Sequence, residues 1–334
     1  MLRSLTNVLH PARFQGRGRR RNYFEGWYLK VVDPTRDLAF AAIPGLSYDA
    51  AGRGHAFVQV VDGVRERGEY HRFDLRELAV GRTPRATPTP DAFDFAVGAN
   101  RFSESGMDLD VPGCRAVLGF RQNTPWPRRP WSPGAMGPFS FAPAMQCKHG
   151  VVSLHHDVTG TVQLGDRPPV TLSDAATGYI EKDWGSAFPL RWTWLQTNHL
   201  AGETAPACLM VSAGVVPWVT GAFEGHIAAL LWRGRLEVFA TYNASRMRRD
   251  IRGGEVHLRF RRPSLRYRDT WLEVVAPLPT GGITLAAPLE AGGMGGHVNE
   301  SLTAETRVRF GHGRQVLLDT STAYTGFELG GVGH

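Results

Sequence analysis

The chain has 334 residues, room for roughly two domains of about 150 residues and for a core that needs neither disulfides nor metal. A hydrophobic share of 42% against 21% charged excludes wholesale disorder. The formal charge of +7 is concentrated in two places. Arg3, Arg13, Arg17, Arg19, Arg20 and Arg21 all precede the first acid, and nine arginines crowd residues 246–268 against Asp250 and Glu255. Two readings of these patches stay open: solvated faces, or surfaces in peripheral contact with anionic membrane lipids. No nucleic-acid partner is expected, because no RNP-like aromatic motif, zinc-finger spacing or helix-turn-helix accompanies the arginines.

Cys114, Cys147 and Cys208 form no CxxC pair and no disulfide framework, which fits a reducing compartment. The N-terminus shows no signal-peptide pattern, and no window approaches 18 consecutive apolar residues. The expectation is a cytoplasmic protein, membrane-associated if the basic patches meet lipid. Nothing in the pattern sets an oligomeric state.

Along the chain, period-2 alternation recurs between turn residues, and 39 glycines and 22 prolines exceed the average usage of about 7% and 5%. Strands are predicted over 38–43, 69–75, 116–121, 151–158, 160–164, 207–215, 226–232, 235–242, 255–262, 271–276, 283–287, 303–310 and 315–327. His55–Val61 alternates large side chains and ends on Asp62–Gly63, a strong turn signal. The spacing reads as an all-β sandwich or barrel with few, short helices. Residues 122–147 break the pattern with prolines, Pro143 among them, and with Trp126, Trp131 and Phe139, a composition that predicts an ordered aromatic wall.

Two segments carry chemistry. One is Tyr23–Phe24–Glu25–Gly26–Trp27–Tyr28–Leu29–Lys30. The other is Gly178–Tyr179–Ile180–Glu181–Lys182–Asp183–Trp184–Gly185, continuing to Trp192, Trp194, Gln196, Asn198 and His199. With Pro133–Phe139, Cys147–Leu154 and Gly295–Leu302, they give the chain a resemblance to the tocopherol cyclase family. The resemblance implies two lipocalin-like β-barrels packed together: residues 1–188, holding the loop 122–147 and the GYIEKDWG block, then residues 189–334. It also implies a substrate class, a phenol or hydroquinone with a long prenyl tail. The reaction would be ring closure to a chromanol, by an intramolecular cyclase that needs no cofactor and no redox change.

That reaction requires a protonated acid, aromatic faces for a carbocation, and exclusion of water. Glu181 and Asp183 are two apart, so on a strand they share a face with Trp184 opposite. Like-charge repulsion can then hold one of them neutral as the proton donor, and the pair is expected to line a cavity. Lys182 points away from them, toward solvent. The alternative for both acids is a structural role at a barrel rim. His199 could accept the phenol proton, or could be an ordinary strand-end residue. Trp184, Trp192, Trp194, Asn198, Trp126, Trp131 and Phe139 are candidates for substrate contact. Glu25, Trp27 and Tyr28 are candidates for the same role or for a corner closing the first barrel. No metal is expected, since His149, His155, His156 and Asp157 lack ligand spacing and adjacent histidines face opposite sides of a strand. A non-catalytic isoprenoid or quinone carrier and a terpenoid hydratase or cyclase remain the rival functions.

Overall fold

The computed structural model describes residues 7–81, 93–142, 145–218, 221–279, 281–288 and 292–331. Arg3 and Pro143 lie outside the described residues. Two antiparallel sheets dominate, and the only regular helices among the described residues are a one-turn segment at 7–9 and four short 3₁₀ turns. The fold is all-β.

In chain order the first sheet contains β1 (Tyr23–Asp33), β2 (Leu38–Tyr48), β3 (Gly54–Asp62), β4 (Arg67–Phe73) and β5 (Leu78–Val80). It continues with β6 (Asp94–Val97), β7 (Asn100–Ser103), β8 (Gly106–Val111) and β9 (Cys114–Thr124). β10 (Cys147–Leu164), β11 (Val170–Thr171) and β12 (Thr177–Gly185) complete it. The strand order is β4-β3-β2-β1-β12-β10-β9-β8-β7-β6-β5, so β12 is inserted between β1 and β10. The second sheet begins with β13 (Trp192–Thr197), β14 (Cys208–Trp218), β15 (Gly221–Trp232), β16 (Arg235–Ala240) and β17 (Arg246–Arg252). β18 (Glu255–Ser264), β19 (Arg268–Pro277), β20 (Ile283–Ala287), β21 (Gly296–His312) and β22 (Gln315–Gly330) follow. Its order is β16-β15-β14-β13-β22-β21-β19-β18-β17, with β20 beside β21.

The chain divides into two compact units, one of residues 1–188 with 283–298, the other of 189–282 with 299–334. The segment 283–298 therefore leaves the C-terminal half of the chain and joins the first unit. Gln59 fixes it there, exchanging two hydrogen bonds with the Ala286 backbone at 2.9 and 3.0 Å. Each unit has its own core. In the first, Trp27, Leu29, Val31, Phe40, Val58, Phe95, Phe102 and Ile180 are buried together, and in the second Leu195, Val211, Phe239, Phe260, Leu272 and Phe327. Alternation assigns the faces. In β12 Ile180 belongs to the core, so Tyr179, Glu181 and Asp183 project from the opposite face.

Three strand expectations need correction. β10 is one continuous strand where two were predicted. It is kept intact by register shifts between Val151 and Ser153 and between Ser153 and His156, irregularities that mask the alternation. The stretch 78–111 holds four short strands that the pattern did not reveal, each of three to six residues. β17 also went unassigned, because an edge strand of four arginines has no apolar alternation to read. The N-terminal segment departs from the solvated extension that its charge suggested. Arg17–Arg21 are exposed, but residues before them are tied to the first unit by Trp27 Nε1, which donates to the Ala12 carbonyl at 3.3 Å.

Candidate active site

β12 brings two opposite faces of chemistry into one strand. Its glycines make the close fit possible. A Cβ on Gly178 would stand 2.2 Å from His156 Nε2, and Gly185 sits at φ +156° with the Gln146 carbonyl only 2.1 Å from where a Cβ would be.

On the core face, Lys182 is fully buried, which corrects the expectation that it reaches solvent. Its Nζ lies 2.6 Å from Glu25 Oε1, with both side chains 0% exposed. The same ammonium is 4.6 Å from the Trp27 ring centre and 4.8 Å from that of Trp184, and donates to the carbonyls of Pro11 and Arg13. Glu25 also accepts from Tyr23 Oη at 2.6 Å and from the Gln15 amide at 2.8 Å. Burial pulls the Lys182 pKa down, against the opposing pull of Glu25. Glu25, Trp27, Lys182 and Trp184 thus form a closed polar knot roofed by the N-terminal segment.

On the other face, register pairs His149 of β10 with Asp183, and Tyr28 of β1 with Glu181. His149 Nδ1 is 3.0 Å from Asp183 Oδ1, and its Nε2 is 3.7 Å from Glu181 Oε2. Tyr179 Oη donates to Glu181 Oε2 at 2.6 Å. Glu181 is buried, whereas the Asp183 side chain keeps 25% of its exposure. Burial alone would lower the His149 pKa. The Asp183 and Glu181 charges and the Asp183 hydrogen bond outweigh it and raise the value to about 9. An imidazolium is therefore held between two carboxylates. With Nδ1–H donating to Asp183, its Nε2 is buried without a hydrogen-bond partner. The Cys147 thiol is pushed far up, first by burial and then by the same two acids, so it stays protonated.

The sign of the resulting pH dependence follows directly. His149 titrates near 6.5 when unfolded and near 9 when folded, so its contribution is full below about 6.5 and is lost as pH rises through about 9. The span corresponds to roughly 3 kcal/mol. Urea unfolding of the wild type should therefore weaken between about pH 6.5 and 9, and His149→Gln should flatten that slope. An unchanged slope in the variant would remove the charge from His149.

His149, Glu181 and Asp183 also offer one donor atom each within 4.8 Å of one another, a set of the kind that holds divalent cations. The expectation of no metal rested on spacing within one segment, and this cluster is assembled from two strands. A ligating imidazole is neutral, so a cation bound here and the proton on His149 would exclude one another.

The other candidates are distributed. Tyr28 shares the face of Glu181, whereas Glu25, Trp27 and Trp184 lie on the core face. Trp126 is buried, Phe139 half-buried, and Trp131 63% exposed beside Arg129. Trp192, Trp194, Asn198 and His199 belong to the second unit. There Trp192 Nε1 donates to Glu328 Oε2 at 3.1 Å, Trp194 is the register partner of Glu328, and Asn198 joins Gln196 and the Ala207 carbonyl. His199 packs edge-on to Tyr324 with ring centres 5.8 Å apart. Sequence reasoning missed His149 as a partner of the acids. The signal available was its place two residues after Cys147 in a block already singled out for its resemblance. It also missed the buried Glu300, opposite Glu328 in register.

The sequence pattern of the tocopherol cyclase-like family matches residues 125–331. Among solved structures, a candidate AttH of Nitrosomonas europaea is 17% identical, with a TM-score of 0.53 over 92% of each chain. CghA is 11% identical, with a TM-score of 0.59 over 93% of this chain and 89% of its own. CghA with Sch210972 gives 10% and 0.58 over the same shares. At these identities the structures establish the common fold. The family match covers more than half of the chain and includes both strands that supply His149, Glu181 and Asp183, so the protein belongs to the tocopherol cyclase-like family.

Proposed function

We propose that the protein is an acid-catalysed cyclase that closes a prenylated phenol or hydroquinone to a chromanol, with the proton delivered from the His149–Glu181–Asp183 trio. Family membership supports a cyclase at the coarse level. The observation that carries the finer reading is the buried His149 ring set between two carboxylates, 3.0 Å from Asp183 and 3.7 Å from Glu181. Asp183 is the donor, because it is the carboxyl with remaining exposure and its Oδ1 lies 3.0 Å from His149 Nδ1. Glu181 is the fixed anion, locked by Tyr179 and keeping His149 charged.

The proton passes from the His149 imidazolium across the 3.0 Å contact to Asp183, which presents it to the alkene, and Glu181 remains as the anion. The proton of Asp183 adds to the prenyl alkene and a tertiary carbocation forms. The phenolic oxygen captures it, and the phenolic proton returns to the carboxylate. Atoms balance within the substrate, with no electron transfer. The Tyr28 ring, on the same face as Glu181, would supply the aromatic surface for that cation, a contact worth roughly 0.5–2 kcal/mol.

Incubation with a prenylated hydroquinone in isotopically labelled water tests this. The expected product has the mass of the substrate, carries no label on oxygen and forms without added cofactor. Binding without turnover would leave a carrier, and label in the product would make the enzyme a hydratase.

A further inference from the structure

The second basic patch has a feature that charge alone did not reveal. The β18–β19 hairpin closes through Leu265, Arg266 and Tyr267, with Ser264 opposite Arg268 and Arg268 at φ +68°. Leu265 is 112% exposed, more than in an extended chain. Single exposed leucines are common on soluble proteins and mean little by themselves. This one stands at the tip of a rigid support, ringed by cations.

The support is specific. Tyr267 stacks on His312 with ring centres 4.1 Å apart and planes 3° from parallel, and the Arg266 guanidinium lies 5.1 Å from the Tyr267 ring centre. The Gly313 amide donates to the Asp269 carbonyl at 3.0 Å, joining this tip to the β21–β22 turn, where Arg314 is exposed. Behind the tip, Arg246 faces Arg261 across the β17–β18 ladder, a like-charge pairing that costs stability in water. No acid occurs between Glu255 and Asp269 or between Glu305 and Asp319. Asp269 is already taken by Arg261, at 3.7 Å.

We infer that this tip is a docking surface for an anionic lipid bilayer, with Leu265 entering the acyl boundary and Arg261, Arg266, Arg268 and Arg314 meeting the headgroups. A soluble polyanion would use the arginines and leave Leu265 idle, whereas a protruding aliphatic side chain with a half-exposed tyrosine behind it matches a layered partner, charged outside and apolar beneath. The inference stands independently of the chemistry proposed above.

Cosedimentation of the full chain with vesicles tests it. Vesicles of phosphatidylglycerol and phosphatidylcholine in equal parts should retain the protein, pure phosphatidylcholine should not, and about 1 M salt should release it by screening. Leu265→Glu should weaken partitioning about tenfold or more. Arg266→Glu with Arg268→Glu should do so by a similar factor. Neither change touches a buried residue, and unaltered melting would confirm an intact fold. Three results would overturn the inference: equal retention by neutral vesicles, salt-sensitive retention indifferent to Leu265→Glu, or loss of binding on Arg20→Glu with Arg21→Glu but not on changes at the tip.

Discussion

Asp183→Asn is expected to lower turnover of a cyclisable prenylated hydroquinone by about 100-fold or more, the usual scale of general acid catalysis, while leaving its binding nearly intact. The amide keeps the shape and can still accept from His149 Nδ1, but it cannot carry a proton to an alkene. Glu181→Gln tests the second carboxylate differently. It removes one of the two charges that raise the His149 pKa to about 9, so the imidazole loses its proton at lower pH. Activity should persist near neutrality, with its alkaline limb moved to lower pH. Tyr179→Phe, which releases the 2.6 Å hydrogen bond to Glu181, should shift that limb less. Wild-type turnover in both Asp183→Asn and Glu181→Gln would remove the carboxylates from the reaction while leaving the fold assignment untouched. A carrier would show altered affinity alone.

The shared face of Glu181 and Asp183 was legible in the sequence, because strand periodicity needs only the strand. What they meet on that face was not. His149 is 34 residues before Asp183, and the pairing depends on β12 inserting between β1 and β10, a topological fact no local pattern contains. The pairing of Glu25 with Lys182 was hidden for the same reason. Charge suggested that Lys182 would be wet, whereas the β1–β12 register sets it opposite Trp27 and beneath the N-terminal segment. The all-β class followed from turn spacing, but the strands between 78 and 111 are too short for alternation to show. The return of 283–298 to the first unit depends on Gln59, which is polar at a position where a strand pattern shows only an outward face.

Lys182→Met is expected to destabilise the protein by about 3–5 kcal/mol, the cost of leaving one charge of a buried pair unmatched. At the scale of a unit this size, melting should fall by roughly 10 °C. Glu25 would remain 0% exposed with only Tyr23 and the Gln15 amide to satisfy it, and the Pro11 and Arg13 carbonyls would lose their donor. Glu25→Gln alone should be milder, because an amide can still accept from Tyr23 and from the ammonium. Combining Glu25→Gln with Lys182→Met removes both charges, so the double variant should recover much of the loss, and a double-mutant cycle would show coupling on the order of 1–3 kcal/mol. The opposite face is set independently. Lys182 sits between Glu181 and Asp183 on the strand, and alternation with the β10–β12 register, not the buried pair, turns the two acids toward His149. The recovered double variant should therefore keep the His149 pH dependence of stability, and Lys182→Met at temperatures where it remains folded should keep it as well. Melting of Lys182→Met within about 2 °C of wild type, less than 1 kcal/mol at this size, would show that the buried pair contributes little to stability.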